Sequence, residues 1–173
     1  MLPPPMMFPR EANIPTRDAL RWILRGHMID IKEIVRFPAI QAILASKVPL
    51  WIDDFPPNTV QIAREFLVNA VYRIEANREG FFHRHQGTWL TMRSCSRSAL
   101  QLLGMALKCQ LEARARGTSQ QQLEREMLPS RWQEAVASVC EALEYWGDES
   151  TDMKRLRGIF SDLMYTFEVS CQG

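Results

Sequence analysis

Two histidines near the middle of the chain have the residue type and spacing that could support chemistry. His83 and His85 flank Arg84 in the glycine-bounded segment 80–87. An H-x-H pair can hold a transition metal, and Glu79 is close enough in sequence to be a third ligand. The other histidine and the four cysteines lie at no spacing that is diagnostic of a metal site. A catalytic or metal-dependent use of this loop is therefore one interpretation among several.

Binding of an anion or a partner is a second interpretation of the same region. Arg84 and His85 stand just before a predicted helix N-terminus, where free backbone N–H groups favour negative charge. Arg93 and Arg97 are four residues apart and share a helical face, so they could bind an anion or form internal ion pairs. The third interpretation, which we favour, is that these side chains hydrogen-bond nearby groups and fix the loop. We predict His83, Arg84, His85, Arg93 and Arg97 as a possible partner or anion contact, with no metal site.

Signatures of an enzyme are missing from the sequence. There is no G-x-S-x-G nucleophile motif, no phosphate-binding G-x-x-x-x-G-K and no dinucleotide-binding G-x-G-x-x-G. The adjacent carboxylates Asp53 and Asp54 precede Phe-Pro-Pro and are typical of a solvated turn. We predict no catalytic residue and no cofactor, and that the chain is not an enzyme. The alternative is a small helical enzyme or pathway accessory protein that uses the His83/His85 loop.

The elements that would position these residues are all helical. Apolar residues recur at helical intervals, and no alternating strand pattern is present. In the first half of the chain we expect a helix capped by Thr16 and interrupted at Pro38, a short helix over 39–44, a loop over 48–58 and a helix capped by Thr59. A helix over 88–115 and an exposed linker over 117–129 follow. The last two elements are a helix with Ser130 and Gln133 at capping-box spacing and a helix from Thr151. We predict an all-α bundle of about six helices. A single domain over 15–168 would lie between a flexible Pro/Met-rich arm over 1–14 and a tail over 169–173.

Composition limits the class of protein further. The 173 residues carry 21 basic and 20 acidic side chains, and 46% of them are hydrophobic. This near-neutral balance is unlike a strongly basic nucleic-acid module. No apolar stretch is long enough for a membrane span, so we expect no membrane contact. The four cysteines lie far apart, which favours reduced thiols and a nuclear or cytosolic protein. Residues 1–131 have a net charge of +6 and residues 132–173 of −5, an asymmetry that suits docking or an ordinary solvated surface.

Three groups of residues, in order, resemble one family. Along the chain they are 29–35 with 37–40, then 83–94 with 98–106, and last 132–136 with 143–146 and 150–153. Together they resemble the C-terminal part of the fungal-specific transcription factor domain, the middle homology region of fungal binuclear zinc cluster regulators. The resemblance covers about residues 20–167. It implies an all-helical regulatory domain that acts through contacts rather than catalysis.

The sequence departs from that family in its cysteines. The family's zinc cluster needs six closely spaced cysteines, whereas this sequence has four that are far apart. We therefore expect no direct sequence-specific DNA binding by this chain alone. The resemblance predicts a nuclear, transcription-regulator-like protein, with cytoplasm as the alternative location, in a gene cluster for secondary metabolism. Its partner would be a full-length regulator, the transcription machinery or a second copy. Exposed apolar surface is expected on the helix over 88–115 or near Trp22 or Trp51.

Overall fold

Six α-helices and no β-strand make up the described part of the chain. A computed structural model describes residues 19–46, 51–84 and 87–171, with side chains for 24–46, 51–84 and 87–167. The helices are α1 (Ala19–Ala45), α2 (Pro57–Asn77), α3 (Thr88–Arg116), α4 (Gln120–Met127), α5 (Trp132–Trp146) and α6 (Thr151–Cys171). The all-α prediction is confirmed. The predicted arm over 1–14 and Thr16 lie outside the described residues.

The long helix α3 is the centre of the bundle. It packs on α1 and α2 on one side and on α4, α5 and α6 on the others. Its buried residues include Leu102, Leu103 and Met105, which lie on different faces of the helix, and this explains why its sequence is apolar on more than one side. Gly117 ends the helix with a positive φ of 65°, a conformation that L side chains adopt only with strain. The sequence predicted this helix to within one residue at its C-terminus.

Helix α1 runs without interruption through Pro38, so the predicted break there is wrong. Proline inside a helix removes one hydrogen bond and crowds the carbonyl four residues earlier, at a cost of about 3 kcal/mol. Pro38 is exposed, and water can therefore satisfy the freed carbonyl of Ile34. Beyond the proline, Ile40 and Ile43 are completely buried. Each such burial contributes about 1.5–3 kcal/mol, which offsets the cost of the proline and keeps the second half helical.

Three further boundaries differ from the sequence prediction. Helix α2 begins at Pro57 rather than after Thr59, because proline suits the first turn of a helix. The segment predicted as an exposed linker contains α4, which Ser119 caps by accepting a hydrogen bond from the backbone of Gln122. Met127 then packs into the core, so α4 is held by α3. At α5 no side chain makes the predicted cap; Arg131 occupies that position.

The end of α5 and the start of α6 lie where local signals in the sequence place them. Gly147 follows the last residue of α5, and α6 begins at Thr151 as predicted. Within the described residues, no helix is both long enough and apolar enough to cross a lipid bilayer.

Candidate functional site

The histidine loop is fixed against α5 by an aromatic cluster. The indole Nε1 of Trp146 donates a hydrogen bond to the backbone oxygen of Phe81 over 2.6 Å. Arg84 lies over the Trp146 ring, with 5.5 Å from its guanidinium carbon to the ring centroid, and forms an ion pair with Glu149. The hydroxyl of Thr88 donates to the backbone oxygen of His83 over 3.2 Å. The described residues of this loop thus make contacts within the protein.

The histidine pair itself is only half described. The side chain of His83 is exposed, and His85 lies outside the described residues. Among the residues that the structure does describe, no group of three histidine, cysteine or acidic side chains is arranged to hold a metal ion. The use of His83 and His85 for chemistry stays a prediction.

The two arginines of α3 point to different helices. Arg93 pairs with Asp152 of α6, and Arg97 pairs with Glu33 of α1, with 3.0 Å between Nη2 and Oε2. The structure therefore does not bring Arg84, Arg93 and Arg97 together at one point; each already faces a carboxylate on another element. An anion or partner contact by this set stays a prediction. Arg93 and Arg97 each join α3 to another helix, and Arg84 joins its loop to the turn after α5.

Arg97 belongs to a buried ion cluster that the sequence did not reveal. Arg73 of α2 donates from Nε to Glu33 over 2.7 Å and from Nη2 to Asp30 over 2.7 Å. Glu33 is only 3% exposed and also accepts from Ser98 of α3 over 3.0 Å. Arg73 is only 4% exposed. The cluster therefore joins α1, α2 and α3 through one carboxylate.

The charge of Arg73 is maintained by its partners. Burial opposes the charged form, but the hydrogen bonds and charges of Glu33 and Asp30 outweigh it, so the pKa of Arg73 is raised. A carboxylate and a guanidinium that are both charged and both buried are costly to separate, because either one alone would be an unpaired charge in the core. This arrangement is suited to fixing the position of α1 and not to proton transfer.

Two small clefts open beside the ion cluster. One, of about 180 Å³, is lined by Arg25, His27, Asp30 and Ser94 among others. The second, of about 190 Å³, is lined by Glu33, Ile34, Phe37, Phe66 and Arg97. Pockets for small molecules usually enclose about 300–1,000 Å³. Each cleft is therefore of a size for one anchoring side chain rather than for a whole substrate.

The described cysteine thiols have no reactive environment. Burial raises the pKa of both Cys95 and Cys109 to about 12, and burial also raises that of Cys140. A thiol is nucleophilic only as the thiolate, so these groups are inert near neutral pH. All three are free of disulfide bonds, in agreement with the expectation of reduced thiols. The side chain of Cys171 lies outside the described part.

An apolar surface that no other described residue covers lies on α1. Ile31, Ile34 and Val35 are 54%, 70% and 72% exposed, and Pro38 is exposed beside them. These four residues, called here the α1 stripe, occupy positions i, i+3, i+4 and i+7 and so form one face of the helix. Ile34 also lines the 190 Å³ cleft, so the stripe continues into a pocket.

The sequence did not locate the stripe. From the sequence we expected exposed apolar surface on the helix over 88–115 or near Trp22 or Trp51. Leu90 and Leu111 of α3 are exposed, but they are separate residues rather than a continuous face. Trp51 is half-buried with Arg116 over its ring, and the side chain of Trp22 lies outside the described part. Instead, α1 has two apolar faces, and the structure shows which one is covered.

Comparisons with protein-family models, with curated proteins and with solved structures give no match to this chain.

Proposed function

We propose that this chain is a non-enzymatic, transcription-regulator-like helical protein that acts in the nucleus through protein–protein contacts. The α1 stripe is the single observation that carries the proposal. Isolated exposed apolar residues are ordinary, but a continuous apolar face on a soluble domain marks a contact surface. The resemblance of residues 20–167 to the regulatory domain of fungal zinc cluster regulators supports the class of partner.

The charges around the stripe define the kind of surface that would bind it. The cations along this side of the protein are Arg25, Lys32, Arg36, Arg73 and Arg97, and the carboxylates are Asp30, Glu33 and Glu65. Arg73 and Glu33 are buried and neutralise each other, so four cations face two carboxylates nearer the surface, and the rim of the stripe is basic. A partner with an apolar face and an acidic rim is complementary to it. We propose that this partner is a regulator that has its own DNA-binding module.

The interior of the protein agrees with this role. Three arginines of the middle region form ion pairs within the protein: Arg84 with Glu149, Arg93 with Asp152, and Arg97 with Glu33. The ion cluster holds α1 firmly on α2 and α3, so the stripe is presented on a rigid helix. A rigid, preorganised surface loses less conformational entropy on binding than a flexible one.

Affinity capture with a disrupted stripe tests the proposal. The tagged chain is used as bait in a nuclear extract of the cells that express it, beside the variant Ile34→Asp/Val35→Asp. We expect mass spectrometry to identify a protein with a DNA-binding domain, and its recovery to fall at least about tenfold with the variant. Leu111→Asp, at a residue of α3 that is 54% exposed, is the control and should capture normally.

Two results would contradict the proposed function. One is that no captured protein has a DNA-binding domain. The other is that the stripe variant and the Leu111→Asp control recover the same proteins in the same amounts. In a separate gel-shift assay, the purified chain alone is expected not to shift promoter DNA.

A further inference from the structure

A second exposed surface has the chemistry that complements the α1 stripe. On α5 and the turn after it, Glu141, Glu144, Tyr145 and Asp148 occupy positions i, i+3, i+4 and i+7, and all are exposed. The ring of Phe82, also exposed, meets Tyr145 edge to face with 5.3 Å between centroids. These five residues are called here the α5 patch. It presents two aromatic rings with acidic side chains around them.

The net charge of the α5 patch is negative. Its neighbours Arg157 and Arg84 pair with Glu144 and Glu149, respectively. Asp148 is 91% exposed, and Arg157 approaches it only to 3.8 Å. Counting Glu149, four carboxylates therefore face two cations, whereas four cations face two carboxylates around the α1 stripe once the buried Arg73–Glu33 pair is left out. The two surfaces have opposite charge and both contain exposed apolar groups.

The protein itself shows how this region binds a cation. Arg84 already lies over the ring of Trp146 and pairs with Glu149. Tyr145 packs edge to face on Trp146, with 4.8 Å between centroids, and is the next ring toward solvent. It therefore offers an approaching arginine or lysine the same combination of ring and carboxylate.

We propose that the α1 stripe of one copy binds the α5 patch of a second copy. The 190 Å³ cleft beside the stripe, lined by Ile34, Phe37, Phe66 and Arg97, would receive an aromatic ring of the patch. An aromatic anchor in a pocket with an arginine at its edge is a common centre of protein–protein interfaces. The basic rim, including Lys32, would face Glu141 and Asp148.

The arrangement of the helices makes this association head to tail. Helix α1 packs on α2 and α3, whereas α5 packs on α3, α6 and α2. The stripe and the patch thus belong to different parts of the bundle, and they are different surfaces. An interface between two different surfaces is heterologous and leaves one of each free at the ends. Association of this kind can extend beyond a dimer.

This inference rests on the proposed function only in treating the α1 stripe as a contact surface. It adds a form of regulation to that function. A second copy on the stripe would cover the surface that the regulator needs, so self-association and partner binding would compete.

Sedimentation equilibrium of two complementary variants tests the inference. Variant A, Ile34→Asp/Val35→Asp, has a disrupted stripe and an intact patch. Variant B, Tyr145→Ala/Asp148→Lys, has an intact stripe and a disrupted patch. We expect the mass of the wild-type protein to rise with concentration beyond that of a dimer. Each variant alone should be monomeric, with a dissociation constant at least about tenfold weaker, and their mixture should form a 1:1 heterodimer. Circular dichroism confirms that both variants fold.

Each alternative gives a different pattern. If variant B alone forms dimers, α1 pairs with α1, and if variant A alone does, the patch pairs with itself; either result overturns the inference. A monomeric wild-type protein, or a mixture with no heterodimer, also overturns it.

The affinity of the heterodimer is expected to weaken several-fold between 0.05 and 0.5 M salt, because opposite charges attract across it. Leu111→Asp and Tyr165→Asp, at exposed residues outside both surfaces, should associate as the wild type does.

The two proposals fail separately. Loss of regulator capture by variant A with no heterodimer in the mixture would leave the proposed function and remove the self-association. A heterodimer in the mixture, with regulator capture unchanged in variant A, would leave the self-association and remove the proposed function.

Discussion

Arg73 of α2 and Glu33 of α1 form an ion pair with 2.7 Å between Nε and Oε1, although both side chains are almost completely buried. Glu33 receives two further hydrogen bonds from α3, from Arg97 and Ser98. One carboxylate thus determines where α1 sits on the other two helices. Because the outer face of α1 carries the stripe, this ion cluster also determines how the contact surface is presented.

Removal of Arg73 is expected to destabilise the protein strongly. In Arg73→Met, the buried carboxylate of Glu33 loses its best partner, and we expect the free energy of unfolding to fall by about 3 kcal/mol. Urea denaturation measures the change. The double variant Glu33→Leu/Arg73→Met should lose less than the sum of the two single variants, because it leaves no unpaired charge behind.

Glu65→Gln is the matched control for this prediction. Glu65 also joins α2 to α1, through Arg36, with 3.0 Å between Nη2 and Oε2, but it is exposed. The hydrogen bond from Arg36 lowers the pKa of Glu65 in the folded protein. Exposed pairs contribute about 0–1 kcal/mol. An equal loss of stability for Arg73→Met and Glu65→Gln would contradict the role given to the buried cluster.

Trp146 is expected to matter through both its indole N–H and the buried volume of its ring. Trp146→Phe leaves the buried backbone oxygen of Phe81 without its donor, and we expect a loss of about 2 kcal/mol in the free energy of unfolding. Tyr145→Phe, at the neighbouring exposed residue, should change stability by less than about 0.5 kcal/mol. Thermal denaturation followed by circular dichroism compares them. Equal melting temperatures for the two variants would show that the hydrogen bond does not hold the loop.

The buried thiols are expected to make the protein less stable at alkaline pH. The pKa of Cys95 is about 12 in the folded protein, against 9.0 for an unperturbed thiol, so the unfolded chain ionises first as the pH rises. The stability due to the neutral thiol is complete below pH 9 and is lost as the pH rises from about 9 toward 12. The expected slope is about 1 kcal/mol per pH unit for each such thiol.

Cys95→Ala isolates this contribution from other alkaline titrations. Between pH 9 and 11, we expect its free energy of unfolding to fall less steeply than that of the wild type, by about 1 kcal/mol per pH unit. Cys140→Ala, at a half-buried thiol whose pKa is also raised, is the control and should show a smaller change in slope. Identical pH slopes for Cys95→Ala and the wild type would contradict the inferred ionisation.

Local signals in the sequence predicted much of the bundle. The position of α3, the glycines after α3 and α5, and the start of α6 at Thr151 all follow from residues that act on their immediate neighbours. The continuation of α1 through Pro38 does not follow from such local signals, because it depends on the burial of Ile40 and Ile43 against other helices. The linker prediction over 117–129 missed α4 for a similar reason: the polar residues 120–122 concealed a helix that is held by Met127.

The surface features were harder to predict, since periodicity identifies apolar faces but not the one that is covered. Ile31, Ile34 and Val35 belong to the apolar recurrence of the first helix, and the structure exposes all three. The deciding signal was Glu33, whose burial beside Arg73 turns that face inward. A single sequence does not pair a glutamate with an arginine forty residues away, so the cluster and the stripe became visible only in three dimensions.

Site-specific photo-crosslinking at α1 can show whether the α1 stripe contacts another protein in the cell. A photoreactive benzoylphenylalanine replaces Val35 in the stripe, or Leu111 of α3 as the control, in cells that express the chain. We expect a crosslink from position 35 to a DNA-binding regulator or to a second copy of this chain, identified by mass spectrometry, and none from position 111. If position 35 gives no crosslinked protein, or the same products as position 111, the α1 stripe is not a contact surface and the account is wrong.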